Sequence, residues 1–253
     1  MKSVNRDDLA QFLAKELQVN YFRDYCPNGV QVEGRSTIKH LVSGVTASLA
    51  LLEKAVEMQA DAVLVHHGYF WRGEDMRVIG QKHKRLKLLL EQDISLFAYH
   101  LPLDSHADFG NNIGLARHLG ITPDGRFGEN DLGWLGMLDN PEIATLEDLA
   151  MHIELKLGRK PLLIGEPAAR PGRVAWCTGA AQNMLDQAIA AGANVYLSGE
   201  ISEPTVHLAR ESGVGYVACG HHATERFGVQ NLGEFIARQF GIRHTFVDID
   251  NPV

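Results

Sequence analysis

The chain has 253 residues, 45% hydrophobic and 22% charged, with 24 Lys and Arg against 31 Asp and Glu for a formal net charge of −7. That length fits one large or two small domains, and the composition excludes disorder as the main state. No apolar run approaches the ~20 residues that span a bilayer, and the acid excess argues against a broad basic face for nucleic acid.

In chain order, Lys2-Ser3-Val4-Asn5-Arg6-Asp7-Asp8 turns acidic where a signal peptide turns apolar, so export is not expected. Leu9, Phe12, Leu13 and Leu17 fall at helical spacing behind Asp7-Asp8 and predict a helix over 7–20. Residues 25–34 read as a turn-rich loop leading into a strand. Strands are predicted at 41–45, 62–65 and 94–99. Helices are predicted at 48–58, 82–91 and 111–119, the last closed by Gly120. This is the alternation of an α/β layer. Residues 122–138 carry Gly125, Gly128, Gly133 and Gly136 and read as a domain boundary. A helix over 145–157 follows, with Thr145 as N-cap, Glu147 and Asp148 in its first turn, and Gly158 as its stop. Pro167, Pro171 and Gly172 mark a loop. Then come strand 173–177, helix 183–191, strand 194–197, helix 203–211, strand 215–219, helix 229–240 and strand 243–249.

Residues 42–65 and 174–197 align without gaps at a constant offset (174 − 42 = 132). Val42 meets Val174, Thr46 meets Thr178, Leu52 meets Met184 and Val63 meets Val195. Two similar α/β units are the reading. The first is expected over 1–126, completed by 226–253, and the second over 127–225.

Cys26, Cys177 and Cys219 are odd in number and scattered, with no CxxC pair, so reduced thiols in a cytoplasmic protein are expected. The 12 histidines are more telling, and two pairs are adjacent, His66-His67 and His221-His222. Histidine without cysteine points to nitrogen and oxygen metal ligands. The clusters also fall where α/β sheets build sites, at the carboxyl ends of predicted strands. His66 and His67 end one strand, His100 and Asp104 follow the next, and His221 and Glu225 follow the last. On a regular strand His66 and His67 point to opposite faces. Two metals could then use both, and so could one metal at a turn. His221 and Glu225, four apart, share one face of a starting helix. A glutamate between two cations can bridge them, and cations about 3.5–4 Å apart acidify a water for hydrolysis. His66, His67, Asp104, His221 and Glu225 are therefore the candidate ligands. His100 and His222 could orient those ligands or act as general acid or base, and Glu200 and His106 are held with them, His106 being expected to face solvent. His40, His83, His118, His152, His207 and His244 read as surface or structural.

Residues 27–34 (PNGVQVEG), Gly44-Val45-Thr46-Ala47-Ser48, His66-His67-Gly68-Tyr69-Phe70-Trp71, His100-Leu101-Pro102-Leu103-Asp104 and Gly220-His221-His222-Ala223-Thr224-Glu225 carry a resemblance over nearly the whole chain. The sequence resembles the GTP cyclohydrolase 1 type 2 homolog family, also called Nif-three-like. The resemblance implies two similar three-layer α/β/α domains with mixed sheets. It also implies two divalent cations per subunit on the same five residues, with Glu225 bridging, and a toroidal homohexamer built of dimers. The family name implies hydrolytic opening of the guanine ring of GTP.

No P-loop accompanies that activity. Residues 44–48 and 178–181 each join a strand to a helix, where backbone N–H groups can hold a phosphate or simply turn the chain. The leading expectation is a metal-dependent hydrolase of a nucleotide-like small molecule, using zinc, iron, manganese, cobalt or nickel. A metal-binding scaffold or regulatory protein without turnover is the second. A factor acting on phosphodiesters is the third, resting on Arg72, Arg77, Lys82, Lys84, Arg85 and Lys87. The plain alternative for that bunch is a solvated helix face.

Overall fold

The computed structural model describes residues 2–253; residue 1, where the expected first domain begins, lies outside them. In chain order the elements are β1 (Val4–Asn5), α1 (Arg6–Glu16), β2 (Gly29–Val32), β3 (Thr37–Ile38), β4 (His40–Thr46), α2 (Leu49–Glu57), β5 (Ala62–His67), α3 (Gly80–Glu91), β6 (Ser95–Ala98) and α4 (Leu101–Ser105). There follow α5 (Asn111–Leu119), β7 (Ile121–Phe127), β8 (Gly133–Leu138), α6 (Leu146–Leu157), β9 (Leu162–Ile164), β10 (Val174–Trp176) and α7 (Leu185–Ala190). The last are β11 (Val195–Ser198), α8 (Glu203–Ser212), β12 (Gly215–Ala218), α9 (His221–Thr224), α10 (Arg226–Phe240) and β13 (Arg243–Phe246).

Local chemistry sets the helix ends. The Asn5 side chain accepts from the N–H groups of Asp7 and Asp8, capping α1. The helix stops at Glu16, short of the predicted 20, because Gln18 takes a left-handed conformation. Thr145 and Asp148 form a reciprocal capping box on α6, and Gly158 closes it.

The chain forms two compact units, residues 2–110 with Gly228–Asp250, and Asn111–Phe227 with Asn251–Val253. The sequence-based boundary at 126/127 therefore falls too late. Ile113, Leu115, Ala116 and Leu119 of α5 bury their side chains in the second unit's core, and β7 pairs with β8 in its sheet. The stretch read as a boundary is a β-hairpin, turned by Asn130 and Asp131 at positive φ.

In the first unit the sheet order is β13-β4-β5-β6-β2, parallel except for β2. Alternate residues serve opposite faces. Leu41, Leu64 and Phe97 pack on α1 and α10 residues such as Leu13 and Leu232, while Val42, Val63 and Leu96 pack on α2 and α3 residues such as Leu51 and Leu89. The second unit has order β7-β8-β10-β11-β12-β9, with β10, β11 and β12 parallel. Val174, Trp176 and Leu197 pack against α5 and α6, and Ala175, Tyr196 and Tyr216 lie in the core shared with Leu185 of α7 and Ala209 of α8. Each unit is thus a helix–sheet–helix sandwich, and both sheets are mixed.

The sequence repeat is also a repeat of register. Val42 pairs with Val63 in the first sheet and Val174 with Val195 in the second, so both partners carry the same offset. The third strands do not keep that offset: Val63 faces Leu96, whereas Val195 faces Gly215, a separation of 119 (215 − 96 = 119). In both units a short antiparallel strand, β2 or β9, covers the edge beside that third strand.

Candidate metal centre

In the first unit the apolar run of β5 ends in His66-His67. The two rings do not diverge as regular alternation predicts; their centroids lie 4.6 Å apart. His67 is the last residue of the β4–β5 ladder, opposite Thr46, so both side chains sit at the carboxyl edge where the pleat ends.

His66 is fully buried. Its Nδ1 lies 2.9 Å from the Tyr99 carbonyl, which can only accept, so Nδ1 carries a proton and Nε2 is the nitrogen left for another partner. That Nε2 is 3.4 Å from Oδ1 of Asp104, itself buried on α4. A buried imidazole nitrogen and carboxylate oxygen facing each other are held by a positive charge between them, a proton or a cation. His67 places Nδ1 3.2 Å from Thr46 Oγ1.

His100 follows β6 and donates from Nδ1 to Asp24 Oδ1 at 2.7 Å. Asp24 is absent from the sequence-based candidates. Its Oδ1 accepts the Tyr25 N–H at 2.6 Å, and its Oδ2 accepts Asn28 Nδ2 at 2.8 Å and the Leu101 N–H at 2.9 Å. Burial works to raise its pKa, but His100, Asn28 and the Tyr25 N–H outweigh that and hold it below the usual carboxylate range. The available signal was an Asp and an Asn four apart flanking a turn, Asp24 to Asn28. Two potential ligand groups follow, His66 with His67 and His100, and Asp24 with Cys26 and His100; within each, one donor atom per residue lies within 4.8 Å of the others. Burial, with Asp24 adding to it, pushes the Cys26 thiol up to about 12, so it is a neutral thiol rather than a ready ligand.

In the second unit β12 leads through Gly220 into α9. His221 and Glu225 share a face, with Nε2 and Oε2 3.0 Å apart. On the other side His221 Nδ1 lies 2.7 Å from Glu200 Oε1. Burial alone would lower the His221 pKa, yet the Glu225 and Glu200 carboxylates together raise it to about 9. Glu200, a secondary candidate in the sequence, is thus the group that orients this imidazole. Gly179 forms the wall behind the pair. A Cβ there would overlap Glu225 Oε1 and stand 3.2 Å from His221 Nε2. Its N–H donates to Thr224 Oγ1 at 3.1 Å and the Thr178 N–H to Asn112 Oδ1 at 3.0 Å, so two donors of this turn are spent inside the protein. The other glycine-containing turn spends its donors similarly: the Ala47 N–H goes to the His67 carbonyl at 2.9 Å and the Ser48 side chain caps α2.

His222 is buried. His106 is partly buried instead of solvent-facing, stacked on Phe109 with centroids 3.8 Å apart, and its Nδ1 accepts the N–H of Asp108 at 3.2 Å. His40 and His244 are structural. His40 contacts the Met58 carbonyl and Thr245 Oγ1, and His244 contacts Ser43 Oγ. His118 and His152 lie against the carbonyls of Lys156 and Leu119, and His83 and His207 are exposed. Half of the basic bunch pairs with nearby carboxylates: Arg77 with Asp75, Lys82 with Glu74 and Lys87 with Glu91. Among the described residues no helix is long and apolar enough to cross a membrane.

Comparison with known proteins adds three findings. Residues 4–252 match the family model described as Duf34/NIF3 (NGG1p interacting factor 3). A Pseudomonas aeruginosa protein named GTP cyclohydrolase 1 type 2 homolog is 55% identical over 235 residues, covering 91% of each chain. Two solved structures share the fold. The protein ybgI, described as of unknown function, matches at TM-score 0.93 and 46% identity over 99% of this chain and 100% of its own. A Thermus thermophilus protein matches at TM-score 0.87 and 30% identity over the same shares.

Proposed function

Because the chain belongs to the Duf34/NIF3 (NGG1p interacting factor 3) family, we propose that it is a cytoplasmic, divalent-metal-dependent hydrolase of a nucleotide-like small molecule. In this reading His66, His67, Asp104, His221 and Glu225 would hold two cations, with Glu225 as the shared ligand, and the protein would work as a toroidal homohexamer. The observation that carries this reading is the backing of the imidazoles. His66 gives its Nδ1 proton to the Tyr99 carbonyl, and His221 turns its own Nδ1 to Glu200. Metal-ligating histidines are held in this way, with the second nitrogen left to the metal. The donor set, three imidazoles and two carboxylates, suits zinc, iron, manganese, cobalt or nickel. Bound cations supply Lewis acidity and lower the pKa of a water nucleophile. Around them, Glu200 and the Tyr99 carbonyl orient imidazoles, and His222 is the candidate general acid or base. The name of the Pseudomonas aeruginosa relative makes GTP the first substrate to try; the reaction would be hydrolytic, one water opening the guanine ring at C8 and a second releasing that carbon as formate.

The test pairs metal analysis with turnover. Purified protein is expected to hold two cations per chain and to turn over a nucleoside triphosphate or phosphoester in a substrate panel. His67→Ala and Glu225→Ala are expected to lose both properties. Turnover that survives in both variants would remove the activity from this site. Unchanged metal content would remove the ligand assignment. Two cations without turnover on any substrate would favour the scaffold reading.

A further inference from the structure

We propose that His100 is a further metal ligand, held in place by Asp24, so that the first unit by itself carries a three-imidazole cation site with His66 and His67. The inference shares His66 and His67 with the function proposed above, and its test separates the two.

The geometry is that of a prepared nitrogen site. One ring nitrogen of each of the three histidines lies within 4.8 Å of the others. The ring of His100 has its centroid 5.0 Å from that of His66 and 5.8 Å from that of His67. A cation with bonds of about 2.0–2.1 Å would draw the nitrogens to roughly 3.3 Å from one another, a small side-chain movement. The tautomers are set for it. Nδ1 of His66 donates to a carbonyl and Nδ1 of His100 to a carboxylate, so in each neutral ring Nε2 carries the lone pair. Nδ1 of His67 is engaged by Thr46 Oγ1. Asp104, with Oδ1 3.4 Å from His66 Nε2, offers an oxygen from the same unit. Three imidazoles and a carboxylate make a sufficient set for a tetrahedral cation.

Asp24 supplies the second line of argument. Its side chain is only 3% exposed, and both oxygens are saturated by contacts to residues 25, 28, 100 and 101. The Asn28 side chain also accepts the His100 N–H at 2.7 Å, so the same loop fixes the backbone and the ring of His100. Trp71 packs edge-on against the ring, 5.0 Å between centroids. A loop staple would need only the Nδ1 side of the imidazole. A second nitrogen, on a ring whose centroid lies 5.0 Å from that of His66 and 5.8 Å from that of His67, is what a ligand needs.

The staple and the ligand give different results. His100→Asn keeps an amide donor for Asp24 and removes the distal nitrogen. The experiment uses the full chain carrying His221→Ala and Glu225→Ala, titrated with Co(II), whose visible absorption reports on its ligands. One Co(II) per chain is expected to bind. Adding His100→Asn should weaken binding by more than about 100-fold, and adding Asp24→Asn by about 10–100-fold, the cost of losing an outer partner of a ligand. His83→Ala, at an exposed histidine, should change nothing. Melting of each metal-free variant identifies any that fail to fold, and His100→Gln then replaces His100→Asn. The inference is overturned if His100→Asn binds Co(II) as the parent does. It is also overturned if the His221/Glu225 variant binds none while the unaltered protein binds two, and in that case the function proposed above still stands. If the unaltered protein binds none, both fall.

Discussion

Gly179→Ala isolates the part played by the wall behind His221 and Glu225. Two costs are readable. Gly179 has φ 70°, and a side chain in that region costs about 1–2 kcal/mol. The added methyl would also overlap Glu225 Oε1 and come within 3.0 Å of its Cδ. Ordinary carbon contacts need about 3.5–4.0 Å, so the carboxylate must retreat by on the order of 1 Å. Glu225 is 3% exposed and has little room, whereas ligand distances tolerate only about 0.2 Å. Gly213 provides the matched control, with φ 72° and nothing within 4 Å of an added Cβ. Gly213→Ala should therefore melt lower by roughly 2–8 °C from backbone strain alone and bind Co(II) normally. Gly179→Ala should melt at least as low and lose Co(II) affinity by about 100-fold or more, comparable to removing a supporting contact outright. Metal-free thermal melts and Co(II) titrations of the two variants decide it. Equal Co(II) affinity in both would refute the claim that Gly179 shapes the ligand pair.

Three further outcomes follow from buried polar groups. The Tyr99 hydroxyl is buried without a partner among the described residues, so Tyr99→Phe should stabilise the protein by about 1 kcal/mol, or roughly 2–4 °C, and a lower melting temperature would contradict this. His221 is raised to about 9, so in the metal-free protein its stabilising charge is present below the unfolded value of 6.5 and lost as pH rises through about 9. A cation must displace that proton, so Co(II) affinity should weaken by about tenfold per unit as pH falls from 9 toward 7, and a flat titration series would refute the assignment. His40 and His244 are shifted the other way, chiefly by burial, so their neutral forms support the fold above pH 6.5 and that support is lost as pH falls through their lowered values. Metal-free melts between pH 7 and 5 should fall, and His244→Gln should flatten that slope whatever its effect at pH 7.

What could be read from the sequence divides along a physical line. Contacts local in the chain leave a spacing behind. Thr145 with Asp148, His221 with Glu225, and the apolar runs of β5 and β11 belong to that class, and the structure places them as their periodicity predicts. The repeat was legible because two parallel strand pairs bury the same alternating faces, and its offset survives as ladder register. Contacts made by chain return leave no such trace. Asp24 meets His100 across 76 residues, and Glu200 meets His221 across 21. Nothing in a turn-rich stretch around Pro27 marks which distant imidazole its aspartate will hold. Glycine content misled for a related reason. Residues 122–138 read as a boundary, yet the strands there pair with each other, and a ladder partner compensates for weak intrinsic propensity. The histidines were thus visible as residues, while their tautomers depended on oxygens supplied from elsewhere in the fold. That dependence gives His100 its interest: the sequence offers an imidazole after a strand, and only the buried carboxylate of Asp24 fixes which nitrogen it presents.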